Sequence, residues 1–375
     1  MKISIDARGI NMYKGTGIGT YTENVVTELL NIDKDNDYTL FWTGEDYNNY
    51  KNNNSKIVFS SRKHGRFYEN FYFPNYIKDN EIDLHHIPQN GIGLTDDYKT
   101  NCVVTIHDLI PYLMPETVGK GYLERFLRDM PKIINQTKGI ITVSEYSKRD
   151  ILRFFNGFPE DKIFVTPLAA NSSFKPLDKQ YCKNYVKENF KINNPYILYI
   201  GGFSTRKNVR ELILAFNNIK KDLKIPHTLL LGGAVKDEGQ KLVKLVKDLN
   251  IEDSVAFTGF IDSNVLPILY NGAEVFAYPS LYEGFGLPPL EAMSCQTAVI
   301  TSNLTSIPEV TGDTASLINP FDKDELAKSL IDILNNDDLK NSLALKGYKR
   351  SLQFSWRHTA NNTLKAYESI FNSLQ

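Results

Sequence analysis

The feature that most restricts this chain is an alternation of short apolar runs with longer segments whose apolar positions recur every three or four residues. Runs at 3–7, 38–42, 56–59, 82–87, 103–106 and 139–143 read as strands, and Val25, Val26, Leu29 and Leu30 mark one intervening helix. Strands buried on both faces and connected by helices pair in parallel, so the expected class is α/β. After a polar stretch at 171–178 that contains Pro176, the pattern starts again with runs at 196–200, 228–231, 254–257, 274–278 and 298–301. The sequence therefore predicts two Rossmann-like, doubly wound domains, 1–170 and 178–357, joined by a linker at about 171–178. Two such domains facing each other would make a cleft at the carboxyl ends of their strands, where these sheets hold ligands.

A length of 375 residues fits two domains. Lys and Arg number 43 against 44 Asp and Glu, a net charge of −1, which argues against a polyanion such as nucleic acid as the main partner. Cys102, Cys182 and Cys295 are odd in number and far apart, as suits a reducing cytoplasm. Asp6 comes too early for a signal peptide, and no apolar run approaches the roughly 18 residues of a membrane span. Any membrane contact is expected to be peripheral.

The most informative segment runs from Tyr278 to Met293 and contains Glu283, Gly284, Phe285, Gly286, Leu287, Pro288, Pro289 and Glu291. It follows a predicted strand and opens a helix. The prolines suit a first helical turn, the glycines let a ligand approach the backbone, and a helix amino terminus favours anions. Glu291 is expected in that first turn, where a carboxylate can also simply complement the helix dipole. Eight residues of helix rise about 12 Å, too far for a paired-carboxylate hydrolase, so Glu283 and Glu291 are expected to meet different parts of one long ligand.

A second strand–loop–helix passage contains Gly201, Gly202, Arg206, Lys207 and Asn208. Asn208 is expected to cap a helix from Val209, with Glu211 completing a capping box. That would leave Arg206 and Lys207 at the helix entrance; taken alone such residues read as a solvated charge pair, but a second glycine-lined helix entrance in the same half favours a diphosphate clamp. In the first half, Gly15, Gly17 and Gly19 lead into a helix, and His107 ends a predicted strand, where it is either a satisfied core residue or a cleft residue. His85 and His86, one predicted strand earlier, could line the first domain's side of the cleft. The segment 62–76 mixes basic and aromatic residues, with Phe67 and Phe71, and Tyr68, Tyr72 and Tyr76, at helical spacing. Such a stripe is ordinarily core, with an anionic membrane surface as the alternative.

These segments resemble the retaining glycosyltransferases of family 4, which have the GT-B fold, over nearly the whole chain. The likeness is carried by Arg206-Lys207-Asn208, by Glu283 and Glu291 with seven residues between them, and by the stretches 104–109, 143–148 and 306–313. The resemblance implies a nucleotide-sugar donor (GDP-, UDP- or dTDP-linked) and a glycan or lipid-linked saccharide acceptor. It implies Glu291 on the ribose, Glu283 with Phe285, Gly286 and Leu287 at the sugar and phosphate, and Arg206 and Lys207 on the diphosphate. It also implies the base near Phe260 and Ile261, the loop from Gly15 to Gly19 at the phosphates or acceptor, His107 near the donor sugar, and a last helix, about 358–375, crossing back onto the first domain. Arg206, Lys207 and helix dipoles would balance the leaving diphosphate, so no metal or other cofactor is expected; the Asp33/Asp35 and Asp322/Asp324 pairs sit in polar turns, the second starting a helix. The glycine spacing at 15–19 fails the dinucleotide fingerprint of an NAD-dependent oxidoreductase, no lysine is marked for a pyridoxal phosphate phosphorylase, and a non-catalytic nucleotide-sugar binder would bind without turnover.

Overall fold

The structure, a computed structural model, describes residues 1–95, 97–98 and 100–373. The chain divides into two compact units, Met1–Leu168 with Ser355–Gln375, and Ala169–Phe354.

The first unit is built on a parallel sheet of β1 (Lys2–Asp6), β2 (Asp37–Trp42), β3 (Ser55–Phe59), β4 (Leu84–Ile87), β5 (Asn101–Ile106), β6 (Gly139–Thr142) and β7 (Ile163–Val165). Its order is β3-β2-β1-β4-β5-β6-β7, so the direction of winding reverses between β1 and β4. Helix Gly17–Ile32 starts where Thr16 Oγ1 accepts from the Gly19 N–H at 3.3 Å. It covers the sheet with Tyr21, Val25, Val26, Leu29 and Leu30. Gly19 has no room for a side chain, because a Cβ there would lie 2.2 Å from the Tyr13 carbonyl oxygen. A short helix, Gly9–Met12, intervenes after β1. Four residues are too few to show a period, so the sequence pattern does not reveal it.

The last helix, Trp356–Asn372, belongs to the first unit. It packs on helix Gly17–Ile32, and Tyr367 OH meets His86 Nδ1 at 2.6 Å. His86 Nε2 also meets Thr105 Oγ1 at 2.8 Å, while His85 bonds to Ser4 and stacks on Tyr98. Both histidines are thus satisfied core residues and do not line an acceptor surface. The aromatic stripe is partly corrected too. A π-helical turn, Tyr68–Tyr72, lies between Gly65–Phe67 and helix Phe73–Asp79 and breaks the 3.6-residue phase. Phe73 is buried, stacked on Phe41 at 4.0 Å, and Tyr68 and Tyr76 lean on the same cluster. Phe67 and Phe71 are 53% and 60% exposed.

The second unit is a parallel sheet of β8 (Tyr196–Ile200), β9 (Thr228–Gly232), β10 (Val255–Gly259), β11 (Val275–Tyr278), β12 (Val299–Ser302) and β13 (Ser316–Ile318). Its order, β10-β9-β8-β11-β12-β13, reverses between β8 and β11. The three-residue strands β7 and β13 went unanticipated because each is too short to show a run. The stretch expected to be a linker is bound into this unit: Phe174 joins its core, the Leu177 N–H donates to Asn271 Oδ1 at 2.8 Å, and Asn271 Nδ2 donates to the Lys175 carbonyl at 3.0 Å. Composition alone cannot show a polar segment tied down by a partner about a hundred residues away. The three cysteines are free and buried. No helix among the described residues is long and apolar enough to cross a membrane.

Candidate active site

The second unit's switch point places two loops side by side. β8 runs into a 3-10 turn, Thr205–Lys207, and helix Val209–Ile219, while β11 runs through Glu283 into helix Leu287–Ser294. Carboxyl ends of neighbouring strands that wind in opposite directions leave a crevice, the usual ligand position in such sheets. The two loops are tied together by the Leu281 N–H, which donates to the Arg206 carbonyl at 2.8 Å.

Glu283 is the centre of the site. Its Oε1 accepts from Arg206 Nη1 at 2.9 Å, Lys207 Nζ at 2.6 Å, Ser280 Oγ at 2.6 Å and Tyr278 OH at 3.0 Å. Lys207 Nζ also donates to Tyr278 OH, and Arg206 to the Tyr282 carbonyl. Burial opposes ionisation of Glu283, but the charges of Lys207 and Arg206 and the hydrogen bonds outweigh it and hold the carboxyl at about 2. The Glu283 N–H donates to Thr305 Oγ1 at 3.1 Å, and Ser306 Oγ bridges the carbonyls of Glu283 and Phe285 at 2.8 Å each. Gly286 has φ +119°, and a Cβ would lie 2.8 Å from Ile307 Cδ1, so the loop needs glycine there.

Two sequence expectations are corrected here. Asn208 precedes the helix, but in the left-handed region (φ +57°), and its Nδ2 donates to the Pro320 carbonyl at 2.8 Å; it makes no cap with its side chain. Glu291 is the fifth residue of helix Leu287–Ser294, in its second turn. Burial pushes its carboxyl up to about 7, against a hydrogen bond from Tyr270 OH at 3.0 Å. Since Pro288 and Pro289 carry no N–H, the anion-binding donors of this helix entrance come down to Leu287 and the loop before it. Ile261 packs against the core, whereas Phe260 is 73% exposed beyond the edge strand β10.

In the first unit, His107 is buried at the end of β5 with Nε2 on the Pro88 carbonyl at 2.8 Å and Tyr21 edge-on at 4.9 Å. Burial lowers its pKa to about 4, so the ring is neutral at pH 7. Gly15 has φ +78°, Thr16 follows, and Gly17 opens the helix. Asp322, as expected, starts helix Lys323–Leu334, its Oδ1 accepting from two backbone N–H groups. Ser280, Tyr270, Tyr278 and Thr305 were missed as functional positions. Their types are ordinary, and only the folded loops bring their hydroxyls to the two glutamates.

Residues 183–350 match the family described as glycosyl transferases group 1, and 15–173 match glycosyltransferase family 4. The chain is 30% identical over 373 residues to the O-antigen chain mannosyltransferase B of Escherichia coli, covering 96% of this chain and 97% of that protein. Among solved structures it resembles sucrose-phosphate synthase from Thermosynechococcus elongatus, with TM-score 0.76, 21% identity and full coverage of both chains. It also resembles Anabaena HepE in complex with UDP and glucose, with TM-score 0.76, 16% identity, and coverage of 98% and 100%. These structural likenesses confirm a GT-B fold of two Rossmann-like domains.

Proposed function

The chain belongs to glycosyltransferase family 4, and on that premise we propose that it moves a hexosyl unit from a nucleoside-diphosphate sugar to a hydroxyl of a glycan or lipid-linked acceptor in cell-surface polysaccharide synthesis. The observation that carries the donor side is one buried carboxylate, Glu283, gathering Arg206 and Lys207 at the switch point of the second sheet. Breaking a sugar–phosphate bond builds positive charge at the anomeric carbon and negative charge on the departing diphosphate. Two cations already held in place meet that negative charge without reorganisation. In this reading Arg206 and Lys207 stabilise the leaving diphosphate with the N–H groups around Phe285, Gly286 and Leu287, and no metal is required. Glu283 positions the cations and faces the sugar. Glu291 accepts from the ribose hydroxyls, Phe260 and Ile261 flank the base, Gly15 to Gly19 approach the phosphates, and the neutral His107 ring lies near the donor sugar.

The transfer retains configuration, and the departing phosphate takes the acceptor's proton on the same face. A carboxylate neutralised by two cations, as Glu283 is, makes a poor nucleophile, which favours that course over a covalent intermediate. Trapping a glycosylated Glu283 would overturn it. The protein works on the cytoplasmic side, with the exposed Phe67, Phe71 and Tyr72 beside Arg62, Lys63 and Arg66 forming a peripheral membrane contact.

A thermal-shift screen across GDP-, UDP- and dTDP-sugars tests the reading. A donor at a hundred times its Kd adds about 2.7 kcal/mol of stability. The stabilising donor should also be consumed when glycan acceptors are supplied; binding without turnover would leave a nucleotide-sugar binder instead.

A further inference from the structure

β11 and β12 pair in parallel, with Tyr278 opposite Thr301, so the turn that follows β12 runs beside the loop that carries Glu283. Three consecutive residues of that turn touch the loop. Thr305 Oγ1 accepts from the Glu283 N–H at 3.1 Å, Ser306 Oγ lies 2.8 Å from the carbonyls of Glu283 and Phe285, and Ile307 Cδ1 fills the space that a side chain at Gly286 would need. Ser306 has one proton for two carbonyls and can serve only one at a time. Thr305 instead fixes the single N–H at the root of the Glu283 side chain.

Thr305 does this from a strained conformation. Among the described residues, seven other than glycine have positive φ; three are asparagines, and Thr305, at φ +58°, is the one with a branched Cβ. In the left-handed region a Cβ crowds the following carbonyl, and a branched one fits worst. Neighbouring bonds hold the turn: the Thr301 hydroxyl donates to the Tyr278 carbonyl at 2.8 Å, and the Leu304 N–H donates to Ser302 Oγ at 3.1 Å. Strain of this kind persists where the surroundings over-determine it, and it gathers at functional sites. Glycine would make the same turn without strain, but it has no hydroxyl to take the Glu283 N–H.

We propose that Thr305 is a positioning residue for sugar transfer: its strained main chain presents the hydroxyl that anchors the Glu283 N–H, and so aims the Glu283 carboxylate, with Arg206 and Lys207 on it, at the reacting bond. The role rests on the glycosyltransferase reading above. Glu283 gathers both cations on Oε1, so a shift of its backbone displaces all three charges together. The effect falls on the chemical step more than on holding the donor.

Thr305→Val keeps the branched Cβ and removes the hydroxyl, Thr305→Ser keeps the hydroxyl, and Thr305→Gly relieves the backbone and removes the hydroxyl. Turnover is read as nucleoside diphosphate released from GDP-mannose, UDP-glucose or dTDP-rhamnose, whichever the screen above selects, with octyl mannoside as the acceptor probe. Rates are divided by the number of donor-binding sites counted by calorimetry. Thr305→Val should lower kcat about tenfold, the scale of one lost hydrogen bond, with donor KM within about twofold of the parent. Thr305→Ser should recover most of the rate. Thr305→Gly should melt no lower than Thr305→Val and yet be as slow. A merely structural threonine would lower the melting temperature and leave kcat per binding site unchanged, and that result overturns the proposal. So does a Thr305→Ser protein as slow as Thr305→Val, or a rise of about tenfold in KM at unchanged kcat, which would make the hydroxyl a group for holding the donor. Should Thr305→Val fail to fold, the Thr305→Ser and Thr305→Gly pair carries the same comparison. Absence of release by the unaltered protein with all three donors would sink the underlying reading instead.

Discussion

At the end of β1, Asp6 accepts from Arg8 through Nε at 2.8 Å and Nη2 at 2.7 Å, and Gln89 donates to the same carboxylate at 2.6 Å. Arg8 is shared with Glu69, so the first switch point holds two carboxylates around one guanidinium. The second switch point inverts the count: one carboxylate, Glu283, accepts from two cations, Arg206 and Lys207. The two sheets wind alike, so topology supplies a crevice in each, and the side chains at the strand ends decide what it can do. A buried guanidinium locked between two carboxylates is a brace. A carboxylate that accepts from two cations holds both in place to meet an incoming anion without reorganisation.

If that contrast is right, the largest effect should come from breaking the brace. Asp6→Ala leaves Arg8, 5% exposed, without its bidentate partner, and urea unfolding should show a loss of about 3–5 kcal/mol. A loss under 1 kcal/mol would erase the structural half of the comparison. Next comes the clamp: Lys207→Ala or Arg206→Ala should lower turnover about 10²- to 10³-fold, as measured with saturating donor. Near-normal turnover would remove them from the chemistry. Gly286→Ala places a Cβ against Ile307 at a positive φ and should destabilise by about 1–3 kcal/mol. For Glu291 the sign is set by its raised pKa. The folded form keeps a proton up to about 7 that the unfolded chain releases near 4.5, so stability falls as pH rises between those values. Glu291→Gln should remove that slope, and unfolding at pH 5 and pH 8 should show wild type losing about 2–3 kcal/mol relative to the variant. Parallel curves would contradict the burial of this carboxyl. The smallest expected effect is none: EDTA should leave the rate of transfer unchanged, and inhibition reversed by a divalent ion would refute charge balance by Arg206 and Lys207 alone.

Legibility in the sequence followed local constraint. The strands longest in apolar residues, the loop of Gly284 to Gly286 and the Arg206-Lys207 pair could be read because each is written in a few consecutive residues. Phe67 and Phe71 could not be placed, since one π-helical turn rotates an aromatic stripe away from the core without changing its spacing. The same holds for Asn208, whose expected cap is displaced by the Pro320 carbonyl more than a hundred residues away.

By itself the sequence determined the α/β class, the repetition of the pattern in two halves and the chemical types gathered at the second half's loops, because hydrophobic period and glycine position act over a few residues. Only the tertiary structure decided that Glu283 binds both cations, that Tyr270 donates to a buried Glu291, and that Asp6 and Arg8 close into a brace. A side chain's charge state depends on what lies within a few ångströms in space, and the winding of the sheet, rather than the order of the residues, brings those neighbours together.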